Sequence, residues 1–209
     1  MPPRLLICGF SAFPEAIRNP AQAAVEALAA HGWSPEGANA DYLTVPVAWR
    51  GSAEAILDRL AAAPADAVLV VGVAVSAASF HVERLGRNRA AAEKRDDLGE
   101  LWGAELIAAD GADEIRTVAP TRSMVAAIER EGLAAELSDD AGDYLCNFTY
   151  YRLLAAEAAP TVAFLHVPQV REYVEGAAFG LADVARAVQA AAGAMAEALS
   201  RPDASRRTA

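Results

Sequence analysis

Short apolar runs alternate along this chain with amphipathic stretches of roughly 3.6-residue period. The run at residues 4–9 ends in glycine, as a buried parallel strand does. Residues 10–19 read as a loop, broken by Pro14 and Pro20. Asn19 then caps a helix that opens on Pro20, runs to about Ala30 and stops near Gly32. Residues 41–47 read as a second strand and 52–63 as a helix, with Ser52 as its N-cap. Residues 66–73 are the most strand-like segment and belong at the centre of a sheet.

The stretch 75–114 breaks this rhythm. It holds a concentration of basic residues, several glycines and no long helical period, so it reads as strand, loop and hairpin over one edge of the sheet. Regular alternation resumes afterwards. Residues 122–131 predict a helix ended by Gly132, 135–138 a strand, 145–157 a helix, 161–166 a strand and 181–200 a long alanine-rich helix. Strands alternating with helices predict an α/β fold, a three-layer α/β/α sandwich with a mainly parallel sheet. Residues 1–200 are expected to form a single domain, and 201–209 a frayed polar tail.

Composition narrows the function. The 209 residues carry 18 Lys and Arg against 28 Asp and Glu, a net charge of −10. Phosphate binding needs clustered cations, so a nucleic-acid partner is not expected. No apolar stretch approaches the roughly 18 residues of a membrane span, and Met1-Pro2-Pro3-Arg4 leads into a strand without a signal-peptide pattern. Two distant cysteines make neither a disulfide framework nor a metal motif. The cytoplasm, whose reducing poise suits a free thiol, is the expected compartment.

The chemistry converges on Cys146 and His166. Cys146 follows the turn Ala141-Gly142-Asp143 at the start of a predicted helix, where the macrodipole and free N–H groups favour a thiolate. His166 closes the apolar run Thr161-Val162-Ala163-Phe164-Leu165. In parallel sheets, sites gather beyond the carboxyl ends of strands. A thiol and an imidazole meeting there make a nucleophile with its base. The orienting carboxylate stays open among Glu83, Asp139, Asp140 and Asp143. Simpler readings fit other residues. Cys8 belongs to the core, His31 caps a helix C-terminus, and His81 reads as a surface or loop histidine. Glu83 beside Arg84 is, taken alone, a solvated pair.

From about Leu5 to at least Pro168 the chain resembles the pyroglutamyl peptidase I, or pyrrolidone-carboxylate peptidase, family of intracellular cysteine peptidases. Gly9-Phe10-Ser11-Ala12-Phe13 is similar to its Gly-Phe-x-Pro-Phe opening, followed by Asn19-Pro20. Val45-Pro46 and Glu83-Arg84 have counterparts. Ala141-Gly142 with Cys146-Asn147 matches the nucleophile motif, and Phe164-x-His166-Val167-Pro168 the histidine motif. The resemblance implies Cys146 as nucleophile, His166 as general base and acid, and Glu83 as orienting carboxylate. It implies a lactam pocket formed by Phe10, Phe13, Val47, Tyr144 and Leu145, with Asn19 and Val73 also substrate-binding. It implies a peptide substrate, no metal or organic cofactor, and a homo-oligomer (dimer or tetramer) with 75–114 as a possible interface.

The substrate-facing segments depart from the pattern. Pro14-Glu15 stands where the family has Gly-Gly. Gly72-Val73-Ala74-Val75-Ser76-Ala77 replaces Gly-Gln-Ala-Gly-Gly-Arg, and Ala92-Glu93-Lys94-Arg95-Asp96-Asp97 replaces Ala-Arg-Ile-Pro-Asp-Asn. Phe148 stands where His is common. Three readings follow: a divergent pyroglutamyl peptidase, a cysteine amidohydrolase for another small or cyclic acyl group, or a non-catalytic binding protein of this fold.

Overall fold

The computed structural model describes residues 1–14 and 16–201. In chain order its elements are β1 (Arg4–Phe10), α1 (Pro20–Ala30), β2 (Asn39–Val45), α2 (Ser52–Ala62), β3 (Ala67–Val73), β4 (Phe80–Glu83) and β5 (Leu85–Arg87). Then come β6 (Glu114–Arg116), α3 (Thr121–Arg130), β7 (Ala135–Ser138), α4 (Leu145–Ala155), β8 (Thr161–Val167) and α5 (Leu181–Ser200). Glu15 and most of the expected tail, 202–209, lie outside the described residues.

Most element ends follow local chemistry. Asn19 Oδ1 accepts from the Ala21 N–H at 2.9 Å, and Pro20 occupies the first helical position of α1. β2 begins and ends two residues earlier than the pattern predicts, because Pro46 has no N–H to continue a ladder. Ser52 does not cap α2. Gly51 is the cap residue, and the buried Ser52 hydroxyl instead accepts from Thr149 Oγ1 at 2.7 Å, joining α2 to α4.

The sheet order is β2-β1-β3-β8-β4-β7. β2, β1, β3 and β8 run parallel, β4 is antiparallel to β8, and β7 is parallel to β4. β3 is buried along its whole length, the central strand its Val-rich run predicts. Successive side chains of β1 enter opposite layers. Leu5 and Ile7 join the core under α1, α3 and α5, while Leu6 and Cys8 join the core under α2 and α4. Three layers result, as expected.

The stretch 75–114 differs from its prediction. β4 does not lie over an edge; it is inserted in the sheet between β8 and β7. The hairpin element is a separate ladder, β5 antiparallel to β6. Four residues carrying one His and one Glu give no periodic signal, so only the pairing partner β8 reveals where β4 belongs.

Candidate active site

The strand ends bring the chemistry together. β3 and β8 are registered so that Gly72 pairs with His166, and the antiparallel β4 places His81 opposite His166 and Glu83 opposite Phe164. Directly opposed residues share a face, so Glu83 reaches His166 diagonally. Glu83 Oε1 lies 2.8 Å from His166 Nδ1. Nε2 is left on the side of the thiol, and Cys146 and His166 line one cavity, the sulfur close enough to act on the imidazole's protonation. Cys146 is half-buried, His166 is 6% exposed and Glu83 is fully buried. A lone Glu-Arg dipeptide reads as solvated, but here Arg84 turns away to pair with Asp139 while Glu83 points inward.

Burial by itself would push the His166 pKa down. The Cys146 sulfur and the Glu83 carboxylate outweigh that and raise it to about 10. The proton therefore resides on the imidazole at neutral pH, beside the Cys146 sulfur. Cys8 shows the contrast: complete burial pushes its thiol far up, and it stays a protonated core residue.

The loop ahead of Cys146 sets the thiol's direction. Gly142, at φ 84°, takes the left-handed turn that a side chain would resist. Its N–H donates to Asp140 Oδ1 at 2.9 Å. The first backbone bond across the start of α4 runs from the Phe148 N–H to the Tyr144 carbonyl at 2.9 Å, so the N–H groups of residues 145–147 precede the ladder. Asn147 anchors this end. Its Oδ1 accepts from the Arg87 N–H at 2.9 Å, and its Nδ2 donates to the Arg87 and Arg89 carbonyls at 2.8 and 2.9 Å. The other acidic candidates are placed elsewhere: Asp139 pairs with Arg84, Asp140 with Arg89, and Asp143 is exposed.

A cavity of about 670 Å³ opens at Cys146 and His166. Phe10, Phe13, Asn19, Val47, Val73, Tyr144 and Leu145 all line it. Asn19 is more a support than a contact, since it also donates to the Ser11 carbonyl at 2.9 Å and so holds the loop that carries Phe13. Two further lining residues are placed by the structure. His81 is no surface-loop residue: it sits in β4, with Nε2 3.1 Å from Glu136 Oε1. Lys94 also lines the cavity, with Nζ 3.9 Å from the Tyr144 ring centroid. Neither carries a motif. His31, by contrast, caps α1 as expected, with Nδ1 2.7 Å from the Ala27 carbonyl.

A thiol, an imidazole and a buried carboxylate at the carboxyl edge of a mainly parallel sheet define a cysteine hydrolase. The chain belongs to the pyroglutamyl peptidase family, whose sequence pattern matches residues 3–198. It is 31% identical over 208 residues to a pyrrolidone-carboxylate peptidase of Streptococcus pyogenes serotype M12, covering 96% of this chain and 95% of that protein. Its fold matches the crystal structure of pyroglutamyl peptidase I from Bacillus amyloliquefaciens with a TM-score of 0.85 at 25% identity, covering 94% of this chain and 96% of that one. The pyrrolidone carboxyl peptidase of Thermococcus litoralis shares the fold with a TM-score of 0.85 at 23% identity, covering 94% of each chain.

Proposed function

We infer that this protein is a cysteine peptidase removing an N-terminal pyroglutamyl residue from peptides. Cys146 is its nucleophile, His166 its general base and acid, and Glu83 the carboxylate that orients the imidazole. The observation that carries the assignment is the contact chain from Glu83 through His166 to Cys146, opening on a cavity walled by aromatic and aliphatic side chains. Flat, uncharged rings suit such walls.

The Cys146 thiolate attacks the carbonyl carbon that joins pyroglutamate to the next residue. The negative charge moves to the carbonyl oxygen, where N–H groups at the start of α4 stabilise it. As the C–N bond breaks, the His166 proton passes to the departing amine, leaving a thioester. Water then gives a proton to His166 and attacks the thioester. Collapse releases pyroglutamate, and the thiolate–imidazolium pair is restored. Glu83 holds Nδ1 throughout, which keeps Nε2 towards the sulfur.

Hydrolysis of a pyroglutamyl aminomethylcoumarin amide tests this reading. The intact protein should release fluorophore, and Cys146→Ala should lose on the order of 10⁴-fold or more. A Cys146→Ala protein that still turns over removes the assignment. A dimer or tetramer in the cytoplasm belongs to the same reading. Exposed Leu98, Leu101 and Leu106 in segment 75–114 are the apolar surface such an assembly would cover, and sedimentation equilibrium tests it. Among the described residues no helix is long and apolar enough to cross a membrane.

A further inference from the structure

Glu83 is the last residue of β4, and Leu85 already begins β5 in a separate ladder. The chain therefore leaves the main sheet at the residue that carries the carboxylate. The carboxylate itself is held by few groups. Oε1 is engaged with His166, while Oε2 is buried and accepts no hydrogen bond from the described residues. Its aim then depends on how firmly the main chain is held at this exit.

Two groups from outside the main sheet hold it. The N–H of Thr117, directly after β6, donates to the Arg84 carbonyl at 3.0 Å. The Tyr150 hydroxyl donates to the Glu83 carbonyl at 3.1 Å. Tyr150 belongs to α4 and follows Cys146 by about one helical turn. Its buried ring packs on Phe164, with centroids 5.5 Å apart, and Phe164 is the residue paired with Glu83 across the β4–β8 ladder. Burial, with the Glu83 charge adding to it, pushes the Tyr150 phenol far up, so the hydroxyl keeps its proton and stays a donor. Helix α4 thus presents Cys146 at its start and, a turn further on, grips the peptide that bears Glu83.

We propose that Tyr150 is a positioning residue: its hydroxyl holds the Glu83 peptide so that the carboxylate stays aimed at His166. One helix then sets both ends of the chain from Cys146 through His166 to Glu83. The effect on turnover rests on the peptidase reading given above; the hold on Glu83 does not. Tyr150 is not among the residues that line the cavity, so it acts on the chemical step and leaves substrate binding alone.

A buried tyrosine hydroxyl needs a partner in any fold, so the test compares Tyr150→Phe with a matched control. Tyr151, the next residue of α4, is also buried and donates its hydroxyl to the Ala112 carbonyl at 2.9 Å. Tyr150→Phe and Tyr151→Phe each keep a ring and lose one such bond, and thermal unfolding will check that both fold. In Tyr150→Phe, kcat on the pyroglutamyl coumarin amide should fall roughly 3- to 10-fold, the worth of one hydrogen bond, with KM nearly unchanged. The alkaline limb of kcat/KM should move to lower pH. A less firmly placed Glu83 raises the His166 pKa less, while Cys146, the other group that raises it, is unaltered. Tyr151→Phe should keep the intact kcat and limb. A Tyr150→Phe protein with intact kcat overturns the proposal, as does any loss that leaves the limb in place or is matched in Tyr151→Phe. NMR of isotope-labelled histidine reads the His166 titration midpoint without turnover. In a protein that hydrolyses no pyroglutamyl amide, and so fails the peptidase reading, a midpoint lowered in Tyr150→Phe alone would still uphold the hold on Glu83. An unmoved midpoint would overturn it.

Discussion

Gly72 and Cys146 leave no room between them: a Cβ at position 72 would lie 2.9 Å from Cys146 Sγ, and equally close to Phe164 Cζ. Neither neighbour can withdraw easily. The sulfur sits at the start of a helix, and the ring is buried among Phe10, Tyr150 and His166. Gly72→Ala should therefore displace the thiol from the imidazole. The expected loss in kcat/KM is roughly 100-fold, the cost of misplacing a reacting group by about 1 Å. Overpacking should lower stability by about 1–3 kcal/mol. Steady-state kinetics beside urea unfolding measures both, and a fully active Gly72→Ala protein would contradict the geometry.

The raised pKa of His166 sets the alkaline side of the pH profile. Its folded value, about 10, stands above the ordinary 6.5. The proton it would donate to the departing amine in the proposed mechanism is thus in place through neutral pH and is lost as pH rises through about 10. The kcat/KM profile should fall along that limb. In Glu83→Gln the limb should move to lower pH, because one of the groups that raise the value is gone. The rate at neutral pH should fall roughly 10²- to 10⁴-fold, the usual share of a positioned acid and base. An unmoved limb would separate Glu83 from the imidazole.

The same shift governs stability. A raised histidine pKa contributes stability that is complete below about 6.5 and disappears as pH passes about 10. The unfolding free energy should decline across that window, and decline less in Cys146→Ala, which lacks the largest group favouring the charged imidazole. Denaturant titrations at a series of pH values will show whether the two curves converge.

Asn147 ties α4 to the strand that leads away from Glu83. Replacing it by Ala leaves the Arg87 N–H and the Arg87 and Arg89 carbonyls without that partner. With a cost of roughly 1–3 kcal/mol for a buried group left unsatisfied, Asn147→Ala should lose about 2–4 kcal/mol. Loss of activity should exceed loss of folded protein, since the residue adjoins Cys146, the proposed nucleophile. Comparing kcat with the folded fraction by circular dichroism decides this.

At the start of α5, Asp183 Oδ2 accepts from the Gly180 N–H at 2.8 Å and pairs with Arg171 and Arg186. That N–H, followed by Arg186, holds its carboxyl below the usual range. The stability it contributes is present above the ordinary carboxylate pKa and is lost as pH falls through the lower folded value. Asp183→Ala should cost about 1 kcal/mol at neutral pH, and this difference should vanish in strong acid. Melting curves of the two proteins across acid pH provide the comparison.

The parts of the fold legible in the sequence were those whose signal is local. The Asn19-Pro20 start of α1, the Val-rich β3 and the alanine-rich run of α5 each write their structure into consecutive residues. Cys146 and His166 were legible for the same reason, one following a glycine turn and one closing an apolar run. Ser52 misled because a serine before a helix usually caps it, and here Thr149, remote in sequence, claims its hydroxyl. His81 misled because a single histidine between apolar neighbours has no period to show which wall it faces.

Sequence by itself determined the alternation of strands and helices and singled out Cys146 and His166, because side-chain period and turn chemistry act over a few bonds. Tertiary structure decided that β4 enters the sheet antiparallel to β8, so that Glu83 is buried against His166 rather than solvated beside Arg84. It also decided that Gly72 yields its space to the sulfur and that Lys94 comes to lie on Tyr144. Those outcomes depend on strand register and on packing between distant segments, which no stretch of neighbouring residues encodes.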